Sequence, residues 1–223
     1  MIVIGSPLHS VADSRSLAAG LAVAIARAAK AAGADVEIVG RVGEDPAGDA
    51  VLLDLATAGI GHVAILRDAG RPTGEVHSTP DPETPFDDPD SDPSEPAPEP
   101  PAVQAILTDA PSLDAADIEL ALRYIPDYRV VVVAQPLAEN ALEAAAAAAR
   151  WGSAALVVLV AAGSPPPAAV TPDVTVLETP PDDPDDVFAG LVGGYAAALD
   201  RGEDPGEAFA TVATGRGWTT AAD

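Results

Sequence analysis

Cysteine is absent from the 223 residues, which excludes disulfides and thiolate metal sites. Aromatic residues are scarce at 4%, so the core must be assembled from Ala, Val, Leu and Ile. Cationic residues are few against the acids. Lys30 is the single lysine, and 11 basic residues face 35 acids, for a net charge of −24. Such a field repels nucleic acid and anionic membranes, so neither is an expected partner. It also repels nucleotides unless a local cationic site overrides it. The start, Met1-Ile2-Val3-Ile4-Gly5, lacks a basic n-region and an apolar run long enough for a signal peptide or membrane span. It reads as a first strand, and the protein as cytoplasmic. No nucleophile-elbow serine, Walker-type glycine loop or dinucleotide fingerprint occurs. His9, His62 and His77 lack metal-ligand spacing.

What is present is alternation. Ile2–Ile4, Asp35–Val39, Val103–Leu107, Val130–Ala134, Ala155–Val160 and Val174–Leu177 are short apolar strand runs. Helical patterns separate them. Helix one is expected from about Ser16 to Ala32, with Leu17, Leu21, Ala24, Ile25 and Ala28 inward and Gly33 as cap. Asp45-Pro46 opens a second helix that carries Val51, Leu52, Leu55 and Ala56 on one face and stops at Gly59. Asp114 with Asp117 opens another as a capping box, and Asp204-Pro205-Gly206-Glu207 opens the last. Leu137–Trp151 and a segment from Asp183 to Leu199 complete the helices. This pattern predicts α/β architecture, a mostly parallel sheet covered by helices on both faces, within one domain over 1–223. Trp151 and Trp218 read as core or interface anchors.

Residues 79–101 break the pattern. They hold nine prolines, eight acids, one aromatic residue (Phe86) and no base. That composition cannot bury enough apolar area to offset the entropy of ordering, and it reads as an acidic disordered loop.

The segment Gly40-Arg41-Val42-Gly43-Glu44-Asp45-Pro46-Ala47-Gly48, its helix, and then Arg71-Pro72-Thr73-Gly74 follow in order after Ala22. This series resembles the pfkB/ribokinase-like carbohydrate kinases. The resemblance implies a ribokinase-like three-layer α/β/α sandwich with a small β lid. The lid falls at about 61–78, with strands at His62–Arg67 and Thr73–Ser78, and often joins two subunits into a homodimer. It implies Mg-ATP as cofactor if the chain is an active sugar or nucleoside kinase, and a sugar-like ligand in either case.

The family's site residues carry over incompletely. Its late helix opens on Gly-Ala-Gly-Asp, where amides form an anion hole and the Asp is the base. By register Asp186 takes the base position, while Asp183-Pro184-Asp185 replace the hole. Pro184 has no N–H to donate. These acids also read as ordinary capping residues, and Asp182, Asp183, Asp185 and Asp186 as a weak Mg²⁺ cluster. Ser10 or Asp13 stands where the family has a sugar-binding Asp. Ser16, Leu17 and Gly20 replace its Gly-Gly pair and Asn, and Gly43 lies in the conserved glycine turn of that family. The candidate substrate-binding residues are therefore Ser10, Asp13, Gly20 and Gly43. The segment that would hold adenine and ribose is missing between Thr179 and Asp183. These departures make a degenerate kinase that binds a small molecule or a partner the expected function. No metal site and no cofactor are expected. An active kinase using Asp186 and a purely structural subunit are the alternatives.

Overall fold

The computed structural model describes residues 1–12, 15–77, 104–106, 110–125, 127–181, 183 and 185–215. Asp13, the acidic segment 79–101 and Trp218 lie outside them.

Six strands form one parallel sheet in the order β10-β9-β8-β1-β4-β5. They are β1 (Ile2–Ile4), β4 (Glu37–Gly43), β5 (Ile65–Asp68), β8 (Val130–Val133), β9 (Ala155–Ala161) and β10 (Thr175–Thr179). β1, β8 and β9 are apolar at every position because helices cover both faces, while β4 also carries Glu37 and Arg41. Alternation sends Val3 to one face and Ile2 and Ile4 to the other. On the first face, α1 (Leu21–Ala31), α2 (Pro46–Thr57), α5 (Val187–Asp200) and α6 (Pro205–Gly215) bury Ile25, Leu55, Phe188 and Ala208. On the second, α3 (Ala115–Tyr124) and α4 (Glu139–Gly152) bury Ile118 and Leu142. Few large side chains are needed because the helices approach closely. A Cβ on Gly193 of α5 would lie 2.7 Å from the Ile25 carbonyl of α1. Among the described residues no helix is long and apolar enough to cross a membrane.

A second sheet, in the order β3-β2-β6-β7, stands over the main one. Its strands are β2 (Leu8–Ala12), β3 (Arg15–Ala19), β6 (Glu75–His77) and β7 (Gln104–Ile106). This corrects three expectations. Residues 15–19, expected to begin helix one, instead form a strand paired antiparallel with residues 8–12. Gly20, at φ 91°, ends the hairpin, and α1 starts at Leu21. The Asp54 carboxylate of α2 accepts the Ala18 N–H at 2.9 Å and fixes the end of β3 beside α2. Secondly, the predicted lid strand at His62–Arg67 belongs to the main sheet. Ile65 is 7% exposed and pairs in parallel with Gly40. Thirdly, Gln104–Ile106 pairs antiparallel with β6 in the lid and not with the main sheet.

Two helix ends also differ. β4 runs on through Gly43, so the glycine turn is confined to Glu44 and Asp45. α5 begins at Val187, three residues after the proline read as its first position. Trp151 is 93% exposed and is no core anchor.

Candidate functional site

The lid sheet, the start of α1 and the start of α5 flank an open cleft of about 490 Å³. Leu8 and Val76 from the lid, Gly20 and Arg27 from α1, and Asp183 and Asp186 before α5 all line it. Two of the sequence-derived candidates, Asp186 and Gly20, thus meet in one cleft. Ser10 sits two residues from Leu8 on β2, paired with Leu17 and Val76, and does not line the cavity.

The helix start is arranged in an unusual way. Asp183 lies before the helix, and its carboxylate reaches forward to the exposed amides. Oδ1 accepts Phe188 N–H and Oδ2 accepts Ala189 N–H, each at 2.9 Å. The free N–H groups of a helix end, together with the helix dipole, make the natural seat for an anion. Here a carboxylate from the chain fills that seat. The connecting turn places Asp186 in the left-handed region, at φ 52° and ψ 28°, where an Asp is tolerated better than most residues. Asp186 is exposed, and its carboxylate makes no capping hydrogen bond.

Arg27 is the cation of the cleft among the described lining residues. Its guanidinium is held by Asp54 Oδ2 at 2.5 Å and by the Ala18 carbonyl at 3.3 Å. Neither Arg27 nor Asp54 stands out in the sequence, because their pairing spans two helices. Among the described residues no three acids or histidines converge as a metal site. Asp182, the fourth acid of that stretch, lies outside them.

Gly43 belongs to a separate knot. The Asp45 carboxylate caps α2 through Gly48 N–H at 2.8 Å and accepts both the Thr73 N–H at 2.8 Å and its Oγ1–H at 2.7 Å. Thr73 Oγ1 in turn accepts Gly43 N–H at 2.9 Å. A Cβ on Gly43 would meet Thr73 N and Asp45 Oδ2 at 2.6 Å. Burial pushes the Asp45 carboxyl up, but the Thr73 and Gly48 hydrogen bonds and the Arg67 charge outweigh it, so it titrates below its ordinary value. The two halves of the recognised motif, around Gly43 and Thr73, are thus joined physically.

A second cavity of about 320 Å³ lies outside the carboxyl ends of β1, β4 and β8. Ser6, Arg41 and Gln135 line it. Gln135 Oε1 accepts Ser6 N–H at 2.7 Å, and Arg41 is paired with Asp117 of α3 at 2.9 Å. β1 is the strand from which the chain builds outward in both directions, the switch point where open α/β sheets hold ligands.

A helix-covered parallel sheet, a four-stranded lid and a cleft between them define the architecture of ribokinase-like proteins. The pfkB family carbohydrate kinase model matches residues 5–179, and the chain belongs to that family. The match stops at the end of β10, before Asp183 and α5. No curated protein matches the sequence. Solved structures share the fold at low identity. The crystal structure of Sa239 has TM-score 0.68 and 14% identity, over 99% of this chain and 95% of that one. A putative ribokinase II from E. coli, in its apo form, has TM-score 0.65 and 13% identity, over 95% and 89%. Arabidopsis thaliana ribokinase complexed with ribose and ATP has TM-score 0.63 and 13% identity, over 96% and 90%.

Proposed function

We propose that this chain is a degenerate member of the pfkB family, a cytoplasmic protein that binds a small organic molecule in the cleft under its lid and does not transfer phosphoryl groups efficiently. The observation that carries this reading is the Asp183 carboxylate seated on the Phe188 and Ala189 amides. Phosphoryl transfer depends on positioned donors that neutralise charge on the moving group. A phosphate oxygen at this helix end would have to displace a carboxylate that is tethered five residues away. It would also approach Asp186, and the Arg27 charge is already spent on Asp54. The residues of the cleft therefore do not fit Mg-ATP.

A second reading keeps Asp186 as the base of an active sugar or nucleoside kinase. It is favoured by one feature: the Asp186 carboxylate lines the cleft without being used as a helix cap. Two measurements separate the readings. A ligand present at one hundred times its dissociation constant adds about 2.7 kcal/mol to native stability. Millimolar Mg-ATP is therefore expected to leave the melting temperature unchanged, and a sugar and nucleoside panel to show no ATP turnover. A saturable shift with turnover that Asp186→Asn abolishes would establish the kinase instead. A purely structural subunit would show no ligand-induced shift with any small molecule.

A further inference from the structure

We propose that the cleft under the lid takes a small organic amine with a compact apolar body, rather than a polyol or an anion. This rests on the binder reading above and assigns its ligand class. The described lining of the cavity includes no Ser, Thr, Asn, Gln, Tyr or His side chain. Its walls are Leu8, Val23, Val76 and small residues of β3 and α1. A sugar lying against these walls would give up water from its inward hydroxyls and find few uncommitted side-chain partners among the described lining residues. The charged groups narrow the choice. Arg27 is committed to Asp54, and Asp183 to the two helix amides. The Asp186 carboxylate has no hydrogen bond or ion pair among the described residues, and Asp186 lines the cavity. One exposed, unpaired carboxylate on the lining of an otherwise largely apolar cleft complements one ammonium on an apolar body. The net charge of −24 adds a long-range attraction for cations and a barrier to anions. A cavity of about 490 Å³ lies within the range that encloses small ligands.

Three probes of equal body and different head test this: cyclohexylamine, cyclohexanol and cyclohexanecarboxylate, with D-ribose as the polyol. Binding to the full chain is followed by NMR through the methyl groups of Leu8, Val23 and Val76. The expected result is saturable movement of those methyls by the protonated amine, about fivefold tighter than by the alcohol, with no binding of the acid. Asp186→Asn is expected to bring amine binding down to the level of the alcohol. Asp185→Asn removes the same unit of charge outside the cavity and is expected to leave amine binding unchanged. It thereby separates the site from the general acidic field. Melting curves of both variants check that they fold. The proposal is overturned if ribose or the acid saturates these methyls as well as the amine does, if no probe moves them, or if Asp185→Asn weakens binding as much as Asp186→Asn. Ribose binding without an Mg-ATP shift would sink the amine class and leave the binder reading standing. An Mg-ATP shift with turnover would sink the binder reading itself.

Discussion

At the scale of single residues, Asp45 does the most structural work on the motif side of the molecule. One carboxylate caps α2, anchors the Thr73 backbone and orients the hydroxyl that satisfies Gly43. Asp45→Ala removes a helix cap and leaves the Thr73 and Gly48 N–H groups without their partner. A loss of about 2 kcal/mol in urea denaturation at neutral pH is expected. The sign of the pH dependence follows from the depressed titration of this group. Its ordinary value is 3.8, and the folded protein holds it lower. The stabilisation is therefore complete above the unfolded value and fades as pH falls through the lower folded one. The stability gap between wild type and Asp45→Ala should stay constant down to the ordinary value and close below it. A gap that persists through that acid range would mean that the charge of Asp45 contributes nothing.

Among the elements, the parallel strands other than β5, together with α2, α3 and α6, could be read from the sequence because their signals are local. Asp114 and Asp117 exchange hydrogen bonds at 2.9 and 3.0 Å as a capping box, and Asp204 caps α6 through Gly206 at 2.9 Å. Of the lid, only β6 was readable as a lid strand, the one expected at Thr73–Ser78; the β2–β3 hairpin was not. Residues 15–31 form one alanine-rich run in which helical periodicity continues across a boundary that only Gly20 marks. The pairings that make the lid are non-local, His9 with Glu75 and Val76 with Ala105, so no short window holds them. The candidate site was half readable. Asp186 follows from register, whereas the Asp183 cap depends on a turn that delays the helix to Val187. The lid pairing also yields a prediction. His77 pairs with Gln104 across antiparallel neighbours, so residues 78–103 join strand ends that a two-residue turn can connect. Replacing them with Asn-Gly shortens the closed loop and lowers its entropy cost by about 2 kcal/mol. Stability should hold or rise by up to that amount in a thermal melt. A clear loss would show that the acidic segment contributes contacts of its own.

For the molecule as a whole, the governing fact is a charge of −24 on a fold whose family resemblance points to a lid-mediated dimer. The two effects oppose each other. Like charge resists association at long range, but salt at about 0.15 M screens it within roughly 8 Å. Apolar burial at a contact is not screened in this way. The lid places Val11 outward at 57% exposure on β2, whereas Val76 lines the cleft and Ile65 sits in the main sheet. Val11 is therefore the lid position to probe, since a charge at Ile65 would damage the core. We propose a homodimer that forms through the outer lid face at moderate salt and dissociates as salt is lowered. Light scattering across a salt series should show the dimer mass rising with ionic strength, and Val11→Asp should shift the chain toward monomer without changing its melting temperature. A wild-type monomer at high protein concentration and high salt would remove the lid as an interface. A dimer untouched by Val11→Asp would place the contact on another surface, with the exposed Trp151 at the end of α4 the next position to charge.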